Sequence, residues 1–184
     1  LENLTLTGAD NLEGIGNSLN NKLTGNSADN LLNGSAGADI LTGKGGADTF
    51  IFNFSQSLIT ASDWIKDFTL GEDKIDLLTQ GGGNLNAPVS FTRAADHKAA
   101  TTTLTEVMTQ VFTDANGALE GNQALGINSA ALVKVTTAEI RGTYLVVNNS
   151  NALFQADKDL LINITGLKGG LPDFGAVPIN SFFV

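Results

Sequence analysis

Large apolar residues recur every nine positions early in the chain, at Leu23, Leu32, Leu41 and Phe50. Glycine keeps the same period at 16, 25, 34 and 43, and so does a short polar residue at Asn21, Asn30, Asp39 and Asp48. The units read GNSLNNKLT, GNSADNLLN, GSAGADILT and GKGGADTFI. Upstream the register degrades, with Leu6-Thr-Gly8 and Leu12-Glu-Gly14 at altered spacings, as is common in terminal repeats. Nine residues are too few for a helical hairpin, but they suit a six-residue turn and a three-residue strand whose middle side chain points inward. Two units then make one coil of a flattened parallel solenoid, with strands of units n and n+2 about 4.8 Å apart. The pattern predicts Leu23 over Leu41 and Leu32 over Phe50. Loops on one side lie 18 residues apart, which sets Asn21 beside Asp39 and Asn30 beside Asp48.

Two further runs, TFIFNF (49–54) and ASDWIKDFTLGEDKIDLL (61–78), precede a glycine-rich break at 80–88, where the periodicity changes. Leu104, Val107, Met108, Val111 and Phe112 are spaced i, i+3, i+4, i+7, i+8, which predicts an amphipathic helix within 97–113, with Asn116-Gly117 as its stop. Thr103 and Glu106 have the form of a capping box, and Asp96 is an alternative start. Three β-rich runs follow at 131–137, 143–147 and 159–165, and the chain ends on SFFV. The expected architecture is mainly β: a solenoid with its cap over 1–79, then a small α+β unit with an antiparallel sheet and one helix over 80–184.

Charge narrows the partners. Nineteen acidic residues against 10 basic give a net charge of −9 in 184 residues, which argues against nucleic acid, whose phosphates need a basic face. The acidic residues are mostly single aspartates beside glycine and asparagine rather than glutamate runs, a placement that suits ligation of a cation. The absence of cysteine excludes disulfides and thiolate metal sites. No apolar run approaches the ~20 residues of a membrane span. A start at Leu1 rather than Met reads as a piece of the C-terminal end of a longer polypeptide.

The stretch GSAGADILTGKGGADTF (34–50) invites comparison with a phosphate loop, and the comparison fails. Ala38 stands at the first glycine of the P-loop pattern and Gly45 follows Lys44, while the dinucleotide pattern begun by Gly43 and Gly45 is completed by Asp48, whose charge repels a pyrophosphate. What the loops offer is carboxylate and carbonyl oxygen. Calcium takes 6 to 8 such oxygens at about 2.3–2.6 Å, and glycines let a turn present successive carbonyls. Each inter-loop site would pair one carboxylate with one amide, which implies weak affinity, about 10⁻⁴ to 10⁻³ M. The alternative is a metal-free solenoid in which Asn and Asp serve as turn residues.

These units resemble the RTX, or haemolysin-type, repeat GGxGxDxUx, a known repeat signature. The resemblance implies a right-handed parallel β-roll that binds Ca²⁺ through the Asp side chain and alternate loop carbonyls. On this chain those positions are Ser35, Gly37 and Asp39, then Lys44, Gly46 and Asp48, with Asn21 and Asn30 at the matching sites of the weaker units. DWIKDFTLGEDKIDLL is similar to the cap that ends the roll in secreted metalloproteases; Asp63, Asp67 and Asp73 match its acidic positions and either close a last calcium site or cap turns. The segments GALEGNQALGINSAALVKV, TYLVVNN and FQADKDLLINITG and the final SFFV resemble the bluetail-type C-terminal domain of large secreted RTX proteins, whose hydrophobic C-terminus is read by type I secretion machinery. The loop at 149–159, with Asp157, is either a further cation site or a polar hairpin loop.

No catalytic constellation is visible: there is no cysteine, a single histidine, and no HExxH. His97 is expected to be solvated at a helix start, and Trp64 and Tyr144 to be packing residues. The sequence therefore points to a non-enzymatic calcium-dependent folding and export module of a secreted, extracellular protein. Rival readings are an adhesive or surface-layer segment and an accessory domain of a secreted hydrolase.

Overall fold

The nine-residue units fold as short strands that alternate between two walls. A computed structural model describes residues 2–54, 56–78, 83, 85–97, 103–115, 124–149, 151 and 153–184. One wall carries β1 (Asn3–Thr5), β3 (Lys22–Thr24), β5 (Ile40–Thr42) and β7 (Asp63–Ile65); the other carries β2 (Glu13–Asn17), β4 (Leu31–Ser35), β6 (Thr49–Asn53) and β8 (Lys74–Leu78). All pairings within both walls are parallel, in the register the period implies: Leu23 faces Leu41 and Leu32 faces Phe50. A strand alternates its faces, so one residue in register turns inward along each wall; Leu23 and Leu41 at the middle of β3 and β5, Leu32, Phe50 and Ile75 second in β4, β6 and β8, and Ile65 last in β7 are all fully buried. The result is a β-solenoid of about three turns.

The second half builds onto the roll. Strands β10 (Ser129–Val135), β11 (Gly142–Val147) and β12 (Leu160–Asn163) form the expected antiparallel meander. The sheet around them is mixed: β9 (Ser90–Arg93) runs parallel to β10, and β13 (Gly175–Ala176) is antiparallel to β9. β12 also pairs in parallel with β7, setting Ile162 against Asp63 and Asn163 against Trp64. The first wall of the roll and the C-terminal sheet are thus one nine-stranded sheet. An exposed end strand would leave its backbone groups unpaired, and β12 covers that edge of β7.

Helix α1 (Leu104–Thr113) lies on the far face of this sheet. Thr103 is its N-cap: the Glu106 N–H donates to Thr103 Oγ1 (3.3 Å) and the Thr103 N–H donates to Glu106 Oε2 (2.7 Å), so the capping box sets the start and Asp96 lies outside the helix. The Asn116-Gly117 stop lies outside the described residues. Val107, Met108, Val111 and Phe112 pack on Ala131, Val133, Val135, Val146 and Leu161, while Ala130, Leu132, Leu145 and Ile162 face the core shared with the roll. Burial on both faces explains why β10 reads as a near-continuous apolar run.

The C-terminal residues complete the core at the roll's end. Phe182 stacks on Phe68 at 5.2 Å and meets Phe91 edge-on at 4.8 Å, and Phe183 meets Phe91 at 5.5 Å. The Ile75 N–H donates to the Phe182 carbonyl (2.6 Å) and the Val184 N–H to the Ile75 carbonyl (3.2 Å), so the tail adds a short pairing to β8.

Candidate metal centre

The sixth-position residues line up along the roll in two columns. In the first, the Asn21 N–H donates to Asp39 Oδ1 (2.6 Å) and the Asp39 N–H donates to Asp63 Oδ1 (2.8 Å). In the second, the Asn30 N–H donates to Asp48 Oδ1 (2.8 Å) and the Asp48 N–H to Asp73 Oδ1 (3.0 Å). All six side chains are buried, none more than 3% exposed. Looking back one coil, each repeat carboxylate accepts the backbone N–H of the asparagine that the 18-residue stacking sets beside it, while the side chains of Asn21 and Asn30 bond Asn17 and Asn26 instead. Looking forward, the backbone N–H of each repeat aspartate meets a second carboxylate, because the cap aspartates Asp63 and Asp73 continue the columns across longer steps. Sequence spacing alone hides this side of the site, since the cap breaks the nine-residue period.

The loops are shaped around these oxygens. Gly34 and Gly43 open their units where the Asp39 and Asp48 carboxylates lie against the Cα, and an added Cβ would collide with Asp39 Oδ2 and Asp48 Oδ2. Gly37 and Gly46 take φ +123° and +94°, and a Cβ there would lie 2.7 and 2.6 Å from the Leu19 and Ala28 carbonyl oxygens one coil back. Ser35 and Lys44 also adopt left-handed backbone, at φ 71° and 77°.

Burial without a counter-charge leaves its mark on the carboxylates. Desolvation pushes Asp63 up to about 8 and Asp48 up to about 7, opposed by their backbone hydrogen bonds; nearby Asp39 adds to the rise at Asp63, and Asp73, Asp67 and Asp29 add to it at Asp48. Asp39 and Asp73 are raised for the same leading reason. Asp39 Oδ2 is buried with no hydrogen-bond partner. An orphaned, buried carboxylate oxygen fits a hard cation such as calcium, which takes oxygen ligands. Among the described residues no three His or acidic side chains converge on one point, so loop carbonyls and waters would have to complete a coordination shell.

Other expected residues are placed differently. Asp67 accepts from the Gly43 N–H (3.0 Å) and the Lys44 N–H (2.8 Å), which spends both its oxygens on backbone amides of the loop before it. Asp73 likewise caps a turn through the Thr69 N–H (2.7 Å) while facing Asp48. In the 149–159 loop the buried acid is Asp159, not the exposed Asp157; it accepts from the Asn149 and Gln155 N–H groups (3.2 and 2.6 Å) and so closes the hairpin. His97 is half-buried rather than solvated: its backbone bridges to Val135, its side chain bonds Gln110, and burial holds its pKa below the usual histidine value. Tyr144 is a packing residue, with its hydroxyl donating to the Ile140 carbonyl (3.1 Å). Trp64 sits half-buried on the roll's outer face, its Nε1–H donating to the Thr165 carbonyl (3.0 Å) under the Lys66 ammonium.

Several participants escaped the sequence reading. Asn20 and Asp29, fifth in their units, accept from the Ala38 and Ala47 N–H groups (2.9 and 2.7 Å). Ser57 accepts from the Asp63 N–H (2.8 Å) and donates to the Leu161 carbonyl (2.7 Å), which ties the column to the C-terminal half. The available signal was the polar character of second and fifth positions in the first two units.

Residues 14–140 match the family described as Peptidase M10 serralysin C terminal. The match spans well over half of the chain, and the chain belongs to this family, the RTX-type calcium-binding repeat region that forms the non-catalytic C-terminal part of serralysin-type proteases. A comparison with curated protein sequences finds no match. No described helix is long and apolar enough to cross a membrane.

Proposed function

We propose that this chain is a calcium-dependent folding module whose ions are held in the columns of the roll by Asp39, Asp48, Asp63 and Asp73. Carbonyls of Ser35, Gly37, Lys44 and Gly46 complete the shells, and Asn21, Asn30 and Asp67 support them through the backbone. The observation that carries this reading is the buried, partnerless Asp39 Oδ2 one coil from a second buried carboxylate. Protonation or a cation relieves that pairing, and at neutral pH a cation at extracellular level is available. Binding to the folded state alone stabilises it by RT ln(1 + [L]/Kd), so at low cytoplasmic calcium the roll is marginal against its chain entropy and the extracellular ion secures it. In this proposal residues 1–79 take the metal, residues 80–184 carry the C-terminal signal, and the whole forms part of a longer secreted protein exported by a type I machinery.

The test is calcium titration of the chelated protein, followed by circular dichroism and thermal melting. Strand signal and melting temperature are expected to rise together, and Asp39→Asn to weaken calcium binding at least about tenfold while leaving the chelated fold intact or firmer. Absence of any calcium effect on spectrum and melting would remove the proposal. Fusion of residues 80–184 to an unrelated passenger, with export scored, tests the signal separately.

A further inference from the structure

The four repeat loops are of two chemical kinds. In the loops at 34–39 and 43–48 the second residue is left-handed and the sixth is aspartate. Their second-position N–H groups turn away from that aspartate: the Ser35 N–H donates to Asn33 Oδ1 (2.9 Å) and the Lys44 N–H to Asp67 Oδ2 (2.8 Å). In the loops at 16–21 and 25–30 the second and sixth residues are both asparagine, and neither Asn17 nor Asn26 is left-handed. There the two amides clasp each other. The Asn17 N–H donates to Asn21 Oδ1 (2.7 Å) and Asn21 Nδ2 donates to Asn17 Oδ1 (3.1 Å), which also accepts the Leu19 N–H (2.9 Å). The second loop repeats this contact for contact: Asn26 N–H to Asn30 Oδ1 (2.7 Å), and Asn30 Nδ2 and the Ala28 N–H to Asn26 Oδ1 (3.0 and 2.8 Å).

We infer that Asn17 and Asn26 are the residues that decide which loops take a cation, closing the first two loops with a neutral amide clasp so that calcium enters only the loops at 34–39 and 43–48 with the cap. The clasp is the electrostatic inverse of a metal loop. N–H donors converge on one oxygen, where a cation loop converges oxygens on one positive charge, and an amide N–H aimed inward repels calcium. The clasp also supplies local hydrogen bonds without metal, so the first two loops stay closed when calcium is removed and present a formed edge on which the later loops assemble. This rests on the calcium reading above and assigns its ions to one end of the roll.

Hydrogen exchange on the full chain, with chelator and with calcium at about a hundred times Kd, separates the two ideas. The Asn17, Leu19, Asn26 and Ala28 amides are expected to exchange at the same rate in both conditions, and amides at 34–48 to gain protection of up to about a hundredfold in calcium. Parallel gains in both sets would overturn the division while leaving calcium binding in place; no change in either set would overturn the calcium reading as well. Calorimetric stoichiometry on Asn17→Ala/Asn26→Ala adds a second readout. The variant should melt earlier in chelator and, with the clasps gone, bind more calcium ions than the parent, whereas an unchanged or lower ion count would refute the inference.

Discussion

At Asp48 and Asp63 burial and charge pull in opposite directions. Both carboxyls are raised in the fold, to about 7 and about 8, from an unfolded value of 3.8. Between those limits the folded chain holds protons that the unfolded chain has released, so the stability that protonation brings is fully present below about pH 4 and is lost as pH rises through 7 to 8. Chelated protein should therefore melt at a higher temperature at pH 5 than at pH 8. In saturating calcium the order should flatten or invert, because the ion binds the ionised form and competes with the proton. Thermal melts across this range check it, and a chelated protein whose melting point climbs with pH would contradict the desolvation argument. The columns of Asn21–Asp39 and Asn30–Asp48 were legible in the nine-residue spacing. The asparagine clasp was not, because Asn at the second position has the same turn propensity whether its side chain faces the loop or solvent.

Individual elements show where local sequence suffices. The parallel register of β3 on β5 and of β4 on β6 follows from the period alone, since slipping by one residue would turn Leu23 and Leu32 outward. The start of α1 was open between two candidates until the reciprocal Thr103–Glu106 bonds decided it, because capping strength depends on geometry that composition does not carry. Thr103→Ala should cost about 1 kcal/mol of stability, seen as a lower denaturant midpoint with an unchanged calcium titration. A shift in calcium affinity would mean that α1 and the columns communicate. β9 and β13 were not anticipated. Four and two residues long, they have no periodicity to read, and they become strands through the partners that β10 and β9 provide.

Over the whole molecule the two halves share one sheet and one core, a union that no local pattern announces, since β7 meets β12 at Asp63 and Ile162, 99 positions apart. The aspartate that faces Asp39 therefore lies on the strand that joins them. The aromatic contacts of Phe182 lie at the same junction. Phe182→Ala should cost about 3 to 5 kcal/mol and lower the melting temperature of the calcium-loaded protein, with roll and C-terminal half melting together. Two separate transitions would show the halves to be less coupled than their shared sheet implies.

The tail's position also sets an order in time. Ile75 waits for Phe182 and Val184, which leave a ribosome, or any pore that passes the chain from its N-terminal end, more than a hundred residues after it. A chain still emerging can form early coils but cannot close this end, and the strand pairing across 99 positions must bear its loop-closure cost before the last contacts repay it. Phe182 and Val184 thus act as a clock: this end of the roll closes only when they have arrived.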